Sequence, residues 1–151
     1  MKLAIVRVGD RSPAWADAAC HDYGRRLRAP IADLSVRAEP FRGDVDAVRA
    51  AESERVLARL TPRDRLVALD ERGADPDADA FLDLYRQGLE AEGRLVFALG
   101  GAYGHHDRLR RAAWRTIRLS SLVLNHEVAR VLLYEQIYRA WAREHNVPYH
   151  H

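Results

Sequence analysis

The stretch FALGGAYGHH, Phe97 to His106, raises the question on which the fold turns. A short apolar run ends in Gly100 and Gly101, and Gly104 follows after Ala102 and Tyr103. Glycines this dense mean that the backbone passes close to something or turns sharply. The neighbour is a phosphate, a cofactor of another kind, or another segment of the chain. Phosphate loops fail on spacing. A dinucleotide fold places G-x-G-x-x-G after the first strand, but here the first apolar run is followed by VGDRSP, with one glycine. A P-loop needs G-x-x-x-x-G-K-[ST], and GGAYGHH supplies neither the lysine nor the hydroxyl.

Working outward, RLVFALGG reads as a fourth strand in a regular alternation. Lys2 to Val8 is β-branched and apolar, a buried strand. Ser12-Pro13 then offers an N-cap and a proline at the first helical position, opening a helix to about Arg28. Ala32 to Ala38 is expected as a second strand. Asp44 caps a helix to about Leu60, stopped by Thr61-Pro62. Arg65 to Asp70 is a third strand, DERGADPDADAF reads as a loop plus the first turn of a helix, and Asp75-Pro76 opens that helix, which ends near Gly93. A helix from about Asp107 to Trp114, a strand around Thr116 to Leu119 and a final helix from about Asn125 to His145 follow. The pattern is that of an α/β fold, a mainly parallel sheet with helices on both faces, expected as a single domain over residues 1–151.

The glycines therefore fall at the carboxyl end of a strand, where open α/β sheets bind ligands. ALDERG, ending the third strand, and IRLSSLVLNH, leading into the last helix, are expected on the same side. Together they form either a pocket for a flat heterocycle read by backbone groups or ordinary tight strand-to-helix turns.

Composition narrows the functional classes. The net charge of +2 is that of no polycation, and Lys2 is the one lysine among 24 basic residues. Arginine suits phosphate recognition, although the bias equally reflects genome base composition. RRLR at Arg25 to Arg28 and RLRR at Arg108 to Arg111 read as solvated helix faces or RNA-facing patches. No stretch has a membrane span's ~20 apolar residues, and the opening MKLAIVRVGD does not read as a signal peptide. The lone Cys20 excludes an internal disulfide, fits a cytoplasmic location, and reads as a packed thiol on a helix. No His, Cys, Asp or Glu set has zinc spacing, so no metal is expected.

VALDERG, FALGGAYG, LSSLVLNHEVARVLLYEQIYRAW and the terminal PYHH, in this order and spacing, resemble the SPOUT-class methyltransferases, and within them the 23S rRNA pseudouridine N3-methyltransferases. The resemblance covers nearly the whole chain. It implies a C-terminal deep trefoil knot (the SPOUT or α/β-knot fold), a homodimer, and S-adenosyl-L-methionine held by the knot loops. The cofactor site it implies is Leu69, Gly100 and Gly101, completed by Leu119, Ser120, Ser121, Leu122, Val123 and Leu124. The substrate it implies is a pseudouridine in helix 69 of 23S rRNA, the stem-loop at the subunit interface, methylated on assembled ribosomes.

The imide N3 proton of that substrate must leave. His126, Glu135, Tyr149 and His150 are candidates to assist, and Arg130 or Arg139 to bind phosphate or steady the anion. Each has a plainer role open to it. His126 caps the helix; Glu135 and Arg139 form an i,i+4 ion pair; Tyr134, Tyr138 and Trp141 pack in the core or a dimer interface; Tyr149 and His150 fray. Relatives commonly carry Thr-Leu-Pro-His where this chain has Val123 to His126, and a basic residue after the tail histidine, where it has His151. The alternative is a knotted RNA-binding protein of ribosome assembly with weakened catalysis.

Overall fold

The protein is described by a computed structural model over residues 2–150; the His151 departure lies outside the described residues. Five strands, β1 (Leu3–Val8), β2 (Ile31–Val36), β3 (Arg65–Ala74), β4 (Leu95–Leu99) and β5 (Arg115–Ile117), alternate with α1 (Ala14–Arg26), α2 (Val45–Leu57), α3 (Ala78–Leu89), α4 (Asp107–Ala112) and α5 (His126–Glu144). The sheet is parallel throughout, in the order β2-β1-β4-β3-β5. In β4 all five residues are buried, as the continuous apolar runs RLVFAL and KLAIVRV require of strands covered on both faces.

Side-chain alternation divides the interior into two layers. Leu3, Ile5, Val67, Leu95 and Phe97 face α1, α3 and α5, where Phe81, Leu133, Ile137 and Trp141 meet them. Ala4, Val6, Leu66, Val96 and Ala98 face α2 and α4, packed by Val56 and Leu109. The layer under α1, α3 and α5 holds the large aromatics and also Cys20. Burial pushes the Cys20 thiol up to about 11, a packed group and not a nucleophile.

Several boundaries differ from expectation, among them the end of α3 at Leu89, short of Gly93, and β5 at Arg115–Ile117; three others are instructive. Pro13 takes the N-cap place of α1 without a side-chain bond, because Ser12 is engaged elsewhere: its Oγ donates to Glu127 Oε2 (3.3 Å) and accepts from Arg130 Nη1 (3.0 Å). β2 begins at Ile31 and ends at Val36, where Val36 is buried and the next residues are exposed. The largest correction is β3, which runs four residues past Asp70. Both Leu69 and Ala74 pair with Ile117, so residues 70–73 form a bulge between them. An added Cβ on Gly73 would lie 2.6 Å from the Ile117 backbone, so a polar stretch that reads as loop is held in the sheet by its glycine. Asp44 caps α2 as expected, while α3 is capped by Asp77 and not opened at Asp75-Pro76; each carboxylate accepts from N–H groups of its first turn.

At the amino end of the sheet the Asp64 side chain is 2 % exposed and ties its own turn to the start of β4. It accepts from the Arg94 backbone N–H (2.7 Å), the Arg94 guanidinium (2.9 Å) and the Thr61 N–H (2.9 Å). Burial alone would raise its pKa; these bonds overcome it and bring the carboxyl down to about 2. A depressed carboxylate pKa contributes stability above the unfolded value, lost as pH falls through the folded one. Asp64→Asn is therefore expected to cost about 2 kcal/mol at neutral pH and to flatten the loss of stability between about pH 4 and about pH 2. Urea unfolding across that range checks both.

Candidate functional site

At the carboxyl ends of β3, β4 and β5 lies a cavity of about 410 Å³, within the range of small-molecule sites. Each strand end contributes a wall. Leu69 and Asp70 come from the β3 bulge, Gly100, Gly101 and Tyr103 from the turn after β4, and Leu119 and Ser120 from the segment after β5. Leu122, Val123 and Leu124 continue that segment, and His126 and Ala129 from the first turns of α5 close it. Eight of the nine residues expected for the cofactor thus meet at one cavity. Ser121 is exposed and does not line it.

The glycine stretch has a geometric reason at each position that needs one. An added Cβ on Gly101 would lie 2.8 Å from Glu52 Oε1 and 3.1 Å from Val8 Cγ1. Gly104 has φ +79°, a left-handed conformation that favours glycine. Gly104 N–H donates to Gly101 O (3.1 Å), closing the turn on itself. The wall facing the cavity is consequently bare backbone, open to a ligand that reads N–H and C=O groups.

Fixed charges surround this apolar floor. Arg110 donates to Asp70 Oδ2 (3.1 Å) and to the His105 carbonyl (2.8 Å), tying the β3 bulge to the glycine turn. His105 is 3 % exposed, and its Nε2 donates to Ala98 O (3.0 Å). Burial lowers its pKa, so the ring is a neutral support and not a cation. Asp70, Arg110 and His105 were not singled out as site residues in the sequence. The signal available was their position: Asp70 ends a strand and His105 follows the glycines. At the rim, Tyr103 and Phe41 are exposed aromatics with ring centroids 5.9 Å apart.

The proposed catalytic residues divide. His126 lines the cavity and is half exposed, its Nε2 3.3 Å from Glu127 Oε1. It does not cap α5; Asn125 does, accepting from the Glu127 N–H (2.8 Å). Glu135, Arg139, Tyr149 and His150 form a separate cluster further along α5, and none lines the cavity of its own chain. Arg139 Nη2 donates to Glu135 Oε1 (2.5 Å), as the i,i+4 spacing predicts, and Nη1 lies 3.4 Å from His150 Nδ1. Tyr149 does not fray. Its hydroxyl donates to Glu135 Oε1 (3.0 Å) and its ring packs edge-on against Tyr138. Burial and these bonds push the Tyr149 phenol well above its ordinary range, so it is a proton donor and not a base.

Arg130 corrects an expectation. It is 6 % exposed and fully committed: to Asp33 Oδ2 (2.7 Å), Asp17 Oδ1 (2.8 Å) and Ser12 Oγ (3.0 Å). Asp33 also accepts from Tyr134 Oη (2.8 Å) and faces Arg7 Nε (3.3 Å). The guanidinium has no free edge for a phosphate and instead fastens α5 to α1 and β2. Among the described residues no group of three or more His, Cys, Asp or Glu side chains could hold a metal, and no helix is long and apolar enough to cross a membrane.

Residues 1–150 match the family described as "Predicted SPOUT methyltransferase", and the chain belongs to that family. It is 43% identical over 155 residues to the "Ribosomal RNA large subunit methyltransferase H" of Methylibium petroleiphilum, covering 99% of each chain. It is 41% identical over 157 residues to the protein of the same name from Geobacter sulfurreducens, covering all of both. Among solved structures, a probable methyltransferase from Bordetella pertussis Tohama I superposes with a TM-score of 0.61 at 16% identity, over 93% of this chain and 94% of that one; this likeness concerns the fold.

Because Arg130 neutralises carboxylates on two other elements, Arg130→Met is expected to cost about 3 kcal/mol or more of folding free energy. Urea unfolding measures it; a variant as stable as the parent would show that the ion cluster holds nothing.

Proposed function

We propose that this SPOUT methyltransferase transfers the methyl group of S-adenosyl-L-methionine to N3 of a pseudouridine in helix 69 of 23S rRNA on assembled ribosomes. The observation that carries the reading is the glycine-walled cavity at three parallel strand ends. Its backbone wall and the apolar Leu69, Leu119 and Leu124 fit an uncharged adenosine and the methionine chain that carries the sulfonium. The names of the relatives support large-subunit rRNA as the substrate. A ribosomal substrate would place the enzyme in the cytoplasm.

When bound, S-adenosyl-L-methionine supplies a methyl group already activated on a sulfonium. The chain's task is then to position the acceptor and manage one proton. Leu69 and Leu119 exclude water, and Gly100 and Gly101 present backbone groups to the ring edge. His126, at the cavity mouth, is placed to take the N3 proton, and Glu127 orients its imidazole. Phe41 and Tyr103 offer faces on which neighbouring bases stack.

The cluster of Glu135, Arg139, Tyr149 and His150 enters the reading through a homodimer, in which the tail of one protomer serves the cavity of its partner. Trp15 on α1, Val128 on α5 and Leu122 and Val123 between them are large, exposed and apolar. They surround the start of α5, where Ser12 meets Glu127, and an apolar patch of this kind marks an interface. The segment after β5 lines the cavity beside the turn after β4 before α5 packs on α1 and α3, an arrangement compatible with the family's trefoil knot.

Two experiments test the reading. In a strain lacking the gene, mass spectrometry of 23S rRNA should show helix 69 without its N3-methylated pseudouridine; retention of that nucleotide would refute the reaction. Sedimentation of Trp15→Glu combined with Val128→Glu should show monomers that bind S-adenosyl-L-methionine yet transfer at least ~10-fold more slowly. Monomers of full activity would remove the partner's tail from the mechanism.

A further inference from the structure

One face of α2 is committed to the glycine turn. Arg49, Glu52 and Ser53 fall at i, i+3 and i+4 and so share a side of the helix. Arg49 Nε donates to the Tyr103 carbonyl (2.7 Å), and Ser53 Oγ accepts from the His106 N–H (2.9 Å). Glu52 stands between them, directly behind Gly101, on the side of the wall away from the cavity.

Glu52 is unusual for a carboxyl group. It is 4 % exposed, its Oε2 accepts from the Glu39 N–H (3.0 Å), and its buried Oε1 has no partner. An orphaned oxygen on a buried carboxylate is costly, and more so when ionised. The groups facing it do little to relieve that cost. On its own helix are Arg55, which is paired with Glu39, and Arg49, which is bonded to Tyr103. From β1 comes only Val8, and from the glycine turn no charge before His106, which lies beside Asp46.

We propose that Glu52 is the positioning residue of the methyl-donor site: its carboxyl, lodged between the Glu39 amide and Gly101, sets the shape of the Gly100–Gly104 turn that the donor reads. Burial, with the nearby Glu39 carboxylate, raises the Glu52 pKa, while the Glu39 amide and Arg55 pull the other way. A raised carboxyl pKa means that its contribution is complete below the ordinary carboxylate range and is lost as pH climbs through the folded value. The cavity reading is the premise for the donor; the shaping of the turn is not tied to it.

The test uses calorimetry with S-adenosyl-L-methionine and amide hydrogen exchange of residues 100–106 in the ligand-free protein. Glu52→Gln keeps the shape of the side chain and removes its titration. It is expected to bind the donor within about twofold of the parent and to keep the exchange protection of the turn. Glu52→Ala is expected to bind about tenfold more weakly, with KM for ribosomal RNA unchanged, and to lose exchange protection over the turn. Gly101→Ala should weaken binding alone but add little in the Glu52→Ala background, where the space has been vacated. Parental affinity and protection in Glu52→Ala, or additive effects of the two substitutions, would overturn the proposal. If the parent protein binds no S-adenosyl-L-methionine, the donor reading fails by itself. The exchange measurement then decides the role of Glu52, which stands if protection falls in Glu52→Ala and not in Glu52→Gln.

Discussion

Close approach of backbone to neighbouring groups at the carboxyl ends of three parallel strands is the constraint on which this protein depends. A parallel sheet leaves its strand ends facing the same way, and the connections leaving them must clear one another. Here they do so by omitting side chains. Gly73 lets the β3 bulge lie against Ile117 and so turns Asp70 toward the site, while Gly101 lets the turn after β4 rest on Glu52 and Val8. The cavity is the space these two approaches leave. A Cβ at either place would require backbone or a buried carboxyl to move, and the wall would move with it.

Around that space the charges are arranged to hold position more than to react. Arg110 spans the β3 bulge and the glycine turn, His105 anchors the turn to β4, and Asp33 gathers Arg7, Arg130 and Tyr134. Each of these groups is paired and mostly buried, and so is poorly placed to accept protons or bind phosphate. The reactive repertoire falls to His126 at the mouth and to the tail cluster, which lies outside its own chain's cavity. A transfer whose activation resides in the donor needs little more than this from the protein.

Much of the fold could be read from residues because its signals are local. The continuous apolar runs at Leu3 to Val8 and Leu95 to Leu99 announce strands covered on both faces, and Asp44 is the cap such a helix wants. The misreadings have a common cause. DERGA is polar and glycine-containing, yet it is held in the sheet by pairing across to Ile117, a contact 43 or more residues distant. Ser12 looks like a cap but is drawn off by Arg130 and Glu127, more than 110 positions away. Local propensity loses wherever a long-range partner offers a better bond.

Of the site, the sequence by itself determined the glycine turn and the exclusion of phosphate loops, because glycine spacing is a property of neighbouring residues; Leu69 and Leu119 to Leu124 came as candidates from the resemblance to the SPOUT-class methyltransferases. Only the tertiary structure decided that Arg130 is a buried fastener, that Tyr149 is a bonded phenol, that His105 is a neutral support, and that Glu52 backs the wall with an unpaired oxygen. Whether an arginine or a glutamate is free or spent depends on which groups the fold brings within about 3 Å of it, and those groups are far away along the chain.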